Sequence, residues 1–247
     1  MLGYIPRRAF ITFVGGALLD PHFFGRQRQQ SEVPPLVDQV PAMLDHILLG
    51  CNDLQRGIDF VEQHTGVRAA FGGVHPGRGT QNALLSLGVS RYLEIIGPDP
   101  KQTASNELAN MLKKIADPSL LGWAAHPGDV QVLADDLAKA GIAAEGPTPG
   151  SRKRPDGSVL HWKTLNLKDD GHGLLPFFIE WSPDSTHPSA DAPSDCQLLR
   201  FELLTPDPAA LAKLTTQLKL KVPIGKAASA QLHAVISGPK GKLDVTS

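Results

Sequence analysis

Hydrophobic positions along the chain change period in a repeating order. Leu44 to Cys51 (LDHILLGC) is a nearly continuous apolar run of strand length. Asn52-Asp53 follows as a turn or N-cap, and Leu54, Ile58 and Val61 then recur at helical spacing within Leu54 to His64 until Gly66 stops the helix. Strand-like segments come next around 68–71, 82–87 and 91–96. The same order returns: Gly122 to Ala125, a turn at Pro127-Gly128-Asp129, a helix over Val130 to Ala140, and strands at 142–145, 160–167 and 177–181. A weaker third copy starts at Leu199, turns at Thr205-Pro206-Asp207-Pro208, and continues as a helix over 209–218 with strands at 232–236 and 242–245. One helix against a small curved sheet cannot close a core alone, so the units must pair. The predicted fold class is α+β, with paired βαβββ modules and a partial third βαβ-type unit. The predicted division is an extension over 1–41, two modules over 42–190, and the partial third module over 191–247 on the same domain.

Aligning the copies on their turn aspartates brings polar residues into correspondence. His46 lies seven residues before Asp53, Gly122 seven before Asp129, and Arg200 seven before Asp207. At the other end, Tyr92-Leu93-Glu94-Ile95 aligns with Phe178-Ile179-Glu180-Trp181, and Asp244 stands in the third copy. Two carboxylates in apolar strands, with a histidine on a first strand, suggest convergence. Burying such carboxylates without a metal or cation costs several kcal/mol. Imidazole and carboxylate oxygens suit a divalent ion such as Zn, Mn, Fe or Ni.

Composition narrows the classes. With 247 residues, 41% hydrophobic and 20% charged, the chain is globular rather than disordered. The formal net charge of -1, from 24 basic and 25 acidic residues, leaves no electrostatic footprint for nucleic acid or an anionic membrane. Cys51 and Cys196 are too few and too far apart for a disulfide framework or a cysteine zinc motif, and Cys51 reads as a small buried hydrophobe. Arg7-Arg8 before a short apolar run resembles a twin-arginine export signal, but no small-x-small cleavage site follows. A cytoplasmic protein is expected, with twin-arginine export as the alternative, and 31–41 reads as a proline-rich linker.

Five segments together resemble the glyoxalase-like domain family of the vicinal oxygen chelate superfamily: Leu44-Asp45-His46-Ile47, His75 to Asn82 (HPGRGTQN), Tyr92-Leu93-Glu94, Arg154-Pro155-Asp156-Gly157, and Pro176 to Trp181 (PFFIEW). The resemblance covers about residues 43–190. It implies paired βαβββ modules around an open cleft and a metal held by first and last module strands, which here leaves His46, Glu94 and Glu180 as metal ligands. Gly122 departs from the four-ligand pattern, because glycine has no side chain to offer. The resemblance implies a metal-dependent lyase or isomerase acting on a small oxygenated molecule, with Glu94 or Glu180 alternating between ligand and base; His75 is the further catalytic candidate. The alternatives are a metal-free binding or sequestering protein and, ranked below it because only one ligand histidine is visible, a ring-cleaving dioxygenase. The implied partners are a small-molecule substrate and, as an option, a second copy of the chain.

The remaining polar residues read as follows. His75 sits in a glycine-rich corner, as a stacking loop residue or as a base or ligand at the cleft mouth. Asn82 begins a strand, where its amide serves loop backbone or substrate. Arg154 belongs to a turn by composition, with Arg152 or Arg154 gripping a substrate carboxylate as the functional alternative. His161 and Trp162 alternate on a strand, so one faces the cleft and the other the helices. His187 follows the second module and is placed to close over the cleft.

Overall fold

The computed structural model describes residues 40–103, 106–154, 156–169, 171 and 173–247. The twin-arginine segment and most of the predicted extension lie outside the described residues, as does His172. Val40 and Pro41, assigned to the linker, already belong to the fold: Pro41 is buried, Val40 packs on the core, and the Pro41 carbonyl accepts from Leu44 N–H (3.1 Å).

The first module runs β1 (Leu44–Gly50), α1 (Leu54–Thr65), β2 (Ala70–His75), β3 (Thr80–Ser86) and β4 (Tyr92–Pro98). A short helix, α2 (Glu107–Leu112), which the apolar pattern did not announce, leads to the second. This runs β5 (Ser119–Ala125), α3 (Val130–Lys139), β6 (Ala144–Lys153), β7 (Val159–Leu167) and β8 (Phe177–Trp181). The turn aspartates start the helices as expected. Asp53 accepts from Arg56 N–H, and Asp129 accepts from the N–H groups of Gln131 and Val132, satisfying donors that a helix start leaves open. Gly66 ends α1 at φ 83°, where its N–H reaches the Glu62 carbonyl (2.8 Å).

The two modules share one eight-stranded sheet in the order β2-β3-β4-β1-β5-β8-β7-β6. In each module the first and last strands are parallel neighbours, and antiparallel β1 and β5 join the halves. The sheet curls until its two edges meet, where the Arg152 guanidinium of β6 donates to the Gly72 carbonyl of β2. Alternation along the strands separates two faces. Leu44, Ile47 and Leu49, Leu93 and Ile95, Trp123 and Ala125, and Leu165 and Phe178 enter the common core. Their intervening neighbours line the inside of the curl.

The third unit is β9 (Gln197–Thr205), α4 (Pro208–Gln217), β10 (Ile224–Lys226), β11 (Gln231–Gly238) and β12 (Gly241–Thr246). Its strand order is β10-β9-β11-β12, with β9 parallel to β10, so it is a βαβ unit with a hairpin and not a third copy of the module topology. It shares the core of the modules: Phe201 of β9 lies 5.2 Å from Trp123 of β5, centroid to centroid. Cys51 is buried and its Sγ–H donates to the Ile96 carbonyl (3.3 Å); burial pushes its thiol up to about 11. No helix among the described residues is long and apolar enough to cross a membrane.

Candidate functional site

The inside of the curl carries a chain of buried polar groups, and it begins with a bulge. Leu44 and Ile47 both face the core although three positions separate them. The β1–β5 register shifts between Leu44 and His46, and Asp45 occupies the extra position. Asp45 and His46 are therefore both withdrawn from the core cluster, and their side chains meet: Asp45 Oδ1 lies 2.7 Å from His46 Nδ1. The other carboxylate oxygen, Oδ2, accepts from Trp181 Nε1 (3.1 Å) and lies 3.2 Å from His187 Nε2. Burial alone would raise the Asp45 carboxyl, but hydrogen bonds from His187 and His46, with their charges, hold it far below the ordinary carboxylate range.

From His46 the chain continues inward. His46 stacks on Tyr92 (4.5 Å between centroids) and meets Phe177 edge-on (5.5 Å). Its Nε2 faces Glu94 Oε2 at 3.6 Å, beyond a normal hydrogen bond. Glu94 Oε1 accepts from Asn82 Nδ2 (2.7 Å) and lies 3.8 Å from His75 Nε2, while His75 Nδ1 is 2.8 Å from Thr80 Oγ1. The Asn82 carbonyl oxygen accepts from Arg152 Nη1 (3.3 Å), which ends the chain at the sheet seam. Burial would raise the Glu94 carboxyl, yet the charges of His46 and His75, the Asn82 bond and Arg152 hold it below its usual range. Burial lowers His75, Glu94 opposes this, and Arg152 and Arg78 add to the lowering. Burial also lowers the Arg152 guanidinium and raises the Tyr92 phenol.

The structure brings His46, Glu94, His75 and Asn82 together and places His187 over Asp45. It does not bring Glu180 to them. Phe178 of β8 enters the core, and Phe177 and Trp181 meet His46 and Asp45, so Glu180 falls on the same side of its strand as Phe178. Its Oε2 accepts from Val130 N–H (2.9 Å) at the start of α3, and its Oε1 lies 3.7 Å from Lys163 Nζ. The sequence alignment is out of phase at this strand. With His46 matched to Gly122, Leu48 matches Ala124; Leu48 pairs with Glu94 and Ala124 with Phe177, so the strand counterpart of Glu94 is Phe177, three positions before Glu180. A slip by an odd number of residues moves a side chain to the opposite face.

Two further expectations are corrected. His161 is exposed and alternates with Trp162, so it lies on the outer face, while Trp162 turns inward to Trp181 (5.5 Å between centroids). Arg154 pairs with Asp191 and donates to the Thr186 carbonyl (2.9 Å), so its guanidinium holds the chain after β8 and leaves the inner face to Arg152. Asp45, Tyr92 and Trp181 were not singled out in the sequence. The available signal was two adjacent polar residues, Asp45-His46, inside an apolar strand, which only a bulge reconciles with two apolar neighbours in the core.

A metal held by first- and last-strand residues of both modules does not fit this arrangement. Its second-module ligands would be Gly122 and Phe177, neither of which can coordinate through a side chain, and Glu180 is committed to α3 and Lys163. Among the described residues no three His, Cys, Asp or Glu side chains are grouped to hold an ion. A pocket of about 210 Å³ lies against Asp45, lined also by His126, Ile179, Glu180, Trp181 and His187, among others.

Paired βαβββ modules in one curled sheet, with a histidine and a carboxylate on the first and last strands of a module, are the arrangement expected of a glyoxalase-like domain. The chain belongs to the glyoxalase-like domain family, which it matches over residues 44–219. No curated protein matches it significantly. Among solved structures, a hypothetical protein from Staphylococcus aureus shares the fold at a TM-score of 0.58 and 14% identity, covering 82% of this chain and 84% of that one. Methylmalonyl-CoA epimerase from Mycobacterium tuberculosis has a TM-score of 0.43 at 19% identity, over 59% of this chain and 90% of that one. The Streptomyces coelicolor methylmalonyl-CoA epimerase has 0.44 at 21%, over 60% and 99%.

Proposed function

We propose that this chain is a small-molecule-binding protein of glyoxalase-like fold that works without the superfamily's four-ligand metal. The observation that carries the reading is the register of β8, which turns Glu180 away from Glu94 and sets Ile179 inside instead. The state of Glu94 agrees with it. A general base at neutral pH gains from a pKa raised toward 7. Glu94 is held on the other side of its ordinary value by His46, His75, Asn82 and Arg152. The polar chain is then a fixed floor of donors and acceptors, and the aromatic walls Tyr92, Phe177, Trp162 and Trp181 supply contact area for an organic ligand.

A second reading rests on one distance pair. His46 Nε2 and His75 Nε2 lie 3.6 and 3.8 Å from the two oxygens of Glu94, so one half of a metal-dependent lyase or isomerase site survives on the first module. Metal analysis of the purified protein, with His46→Ala as control, separates the readings. Metal well below one equivalent in both proteins, together with saturable quenching of Trp181 and Trp162 fluorescence by members of a small-molecule panel, supports the binding protein. One equivalent of a first-row metal that is lost in His46→Ala supports the enzyme and overturns the binding reading.

A further inference from the structure

The chain does not pass directly from β8 to β9. Residues 183–195 cross the mouth of the curled sheet, from the second module to the first. Each contact along this path is to a different strand or turn. Ser185 Oγ accepts from His161 N–H of β7 (2.9 Å). Arg154, in the β6–β7 turn, pairs with Asp191 and donates to the Thr186 carbonyl. His187 Nε2 meets Asp45 Oδ2 of β1 (3.2 Å), and its ring stands edge-on to both Tyr92 and Trp181 (5.6 Å each). The Pro193 carbonyl accepts from Ser86 N–H of β3 (2.8 Å). A short 3-10 turn, Pro188–Ala190, is its one regular element, and no ladder ties it to either edge.

We infer that residues 183–195 form a lid and that His187 is a displaceable placeholder. Its ring occupies the position of a small nitrogen heteroaromatic ligand, which takes over the N–H bond to Asp45 Oδ2 when the lid lifts. Three observations lead there. The lid is held by separate polar contacts, several of them exposed, and such segments open locally without global unfolding. The imidazole of His187 is already a fitted occupant: one N–H to a carboxylate held ionised, two aromatic edges, and the 210 Å³ pocket beside it. Trp181 Nε1 and His46 Nδ1 keep the other Asp45 positions filled, so the carboxylate stays in place when His187 leaves. The ligand class rests on the small-molecule-binding reading above, whereas the lid stands on its own contacts.

Two measurements test the parts separately. Amide hydrogen exchange on the full chain reads the lid through Ser86 and His161, whose N–H groups are bonded to it. In Arg154→Ala, these two amides are expected to exchange about tenfold faster or more, while Leu93 and Ile95 of β4 keep their rates. Exchange of Ser86 and His161 at the core rate, in wild type and variant alike, overturns the lid. Free imidazole is the probe for the placeholder. It is expected to raise the melting temperature of His187→Ala and to shift its tryptophan emission, both saturably, and to do the same in wild type only at higher concentration, where it must displace His187; no effect on wild type at any concentration overturns the displacement. Binding of imidazole that is equal in His187→Ala and in His187→Ala/Asp45→Asn, or absent from His187→Ala, overturns the ligand class and leaves the exchange result to decide the lid. A lid that opens in a protein that binds no member of the panel overturns the small-molecule reading alone.

Discussion

Where the first module presents His46, Tyr92 and Glu94 to the inside of the curled sheet, the second presents Ala124, Phe177 and Ile179 from its own first and last strands. The strands match in order, direction and pairing, yet one half carries the polar chain and the other an apolar wall. The contrast follows from what each side chain must satisfy. Asp45 and Glu94 are buried and ionised, and each is surrounded by donors from several strands. Phe177 and Ile179 need only contact area. Two modules can thus share a backbone while only the first carries the buried polar chain.

The sharpest way to break this contrast is to put a carboxylate where the second module lacks one. Ile179→Glu buries a charge with no partner prepared for it and is expected to cost roughly 3–5 kcal/mol in urea unfolding. A cost below 1 kcal/mol would show that Ile179 is not on the inner face. Removing a carboxylate from the first module comes next. Glu94→Ala strands Asn82 and leaves Arg152 without its nearest counter-charge, an expected loss of roughly 3 kcal/mol, or a melting temperature lower by about 6–12 °C for a domain of this size.

Acidification probes the same half more gently. His75 is held below its ordinary 6.5, Glu94 below 4.5 and Asp45 below 3.8 in the folded chain. The unfolded chain therefore takes up these protons first, so their stabilisation is complete above about pH 6.5 and falls as the pH drops. Stability measured at pH 7.5, 5.5 and 4 should decline in that order, and His75→Gln should flatten the first interval. A maximum near pH 5 would contradict the lowered His75. The smallest effect belongs to Glu180. Glu180→Ala removes one acceptor at a helix start that Asp129 already caps, with an expected cost of about 0.5–1 kcal/mol in urea unfolding.

The sequence made the βαβββ order readable because each step has a local signal: Asp53 and Asp129 at helix starts, Gly66 at a helix end, and apolar runs between them. It also placed His46, Glu94, His75 and Asn82 in one region, since the first module's motifs are close in sequence. What it did not reveal depends on register. Glu94 and Glu180 sit in similar apolar runs, and only the pairing of Ala124 with Phe177 shows that they fall on opposite faces. The bulge at Asp45 is likewise a property of two strands together. Strand β10 was too short, and its apolar content too low, to stand out. Arg152, in a run that reads as a loop by its prolines and glycines, becomes a β6 residue only because Ala144–Lys153 pairs along β7.

The seam between β2 and β6 has a mechanical consequence. No row of backbone hydrogen bonds joins these edges, as one does between every other neighbouring pair in the sheet; a single guanidinium reaches across to the Gly72 carbonyl. Gly72 is bare for that reason, since a methyl group there would lie 2.5 Å from Asn82 Oδ1 and 2.8 Å from Arg152 Nη1. Arginine acts as a clasp across the seam, and a shorter residue at position 152 would leave the two edges unlatched there.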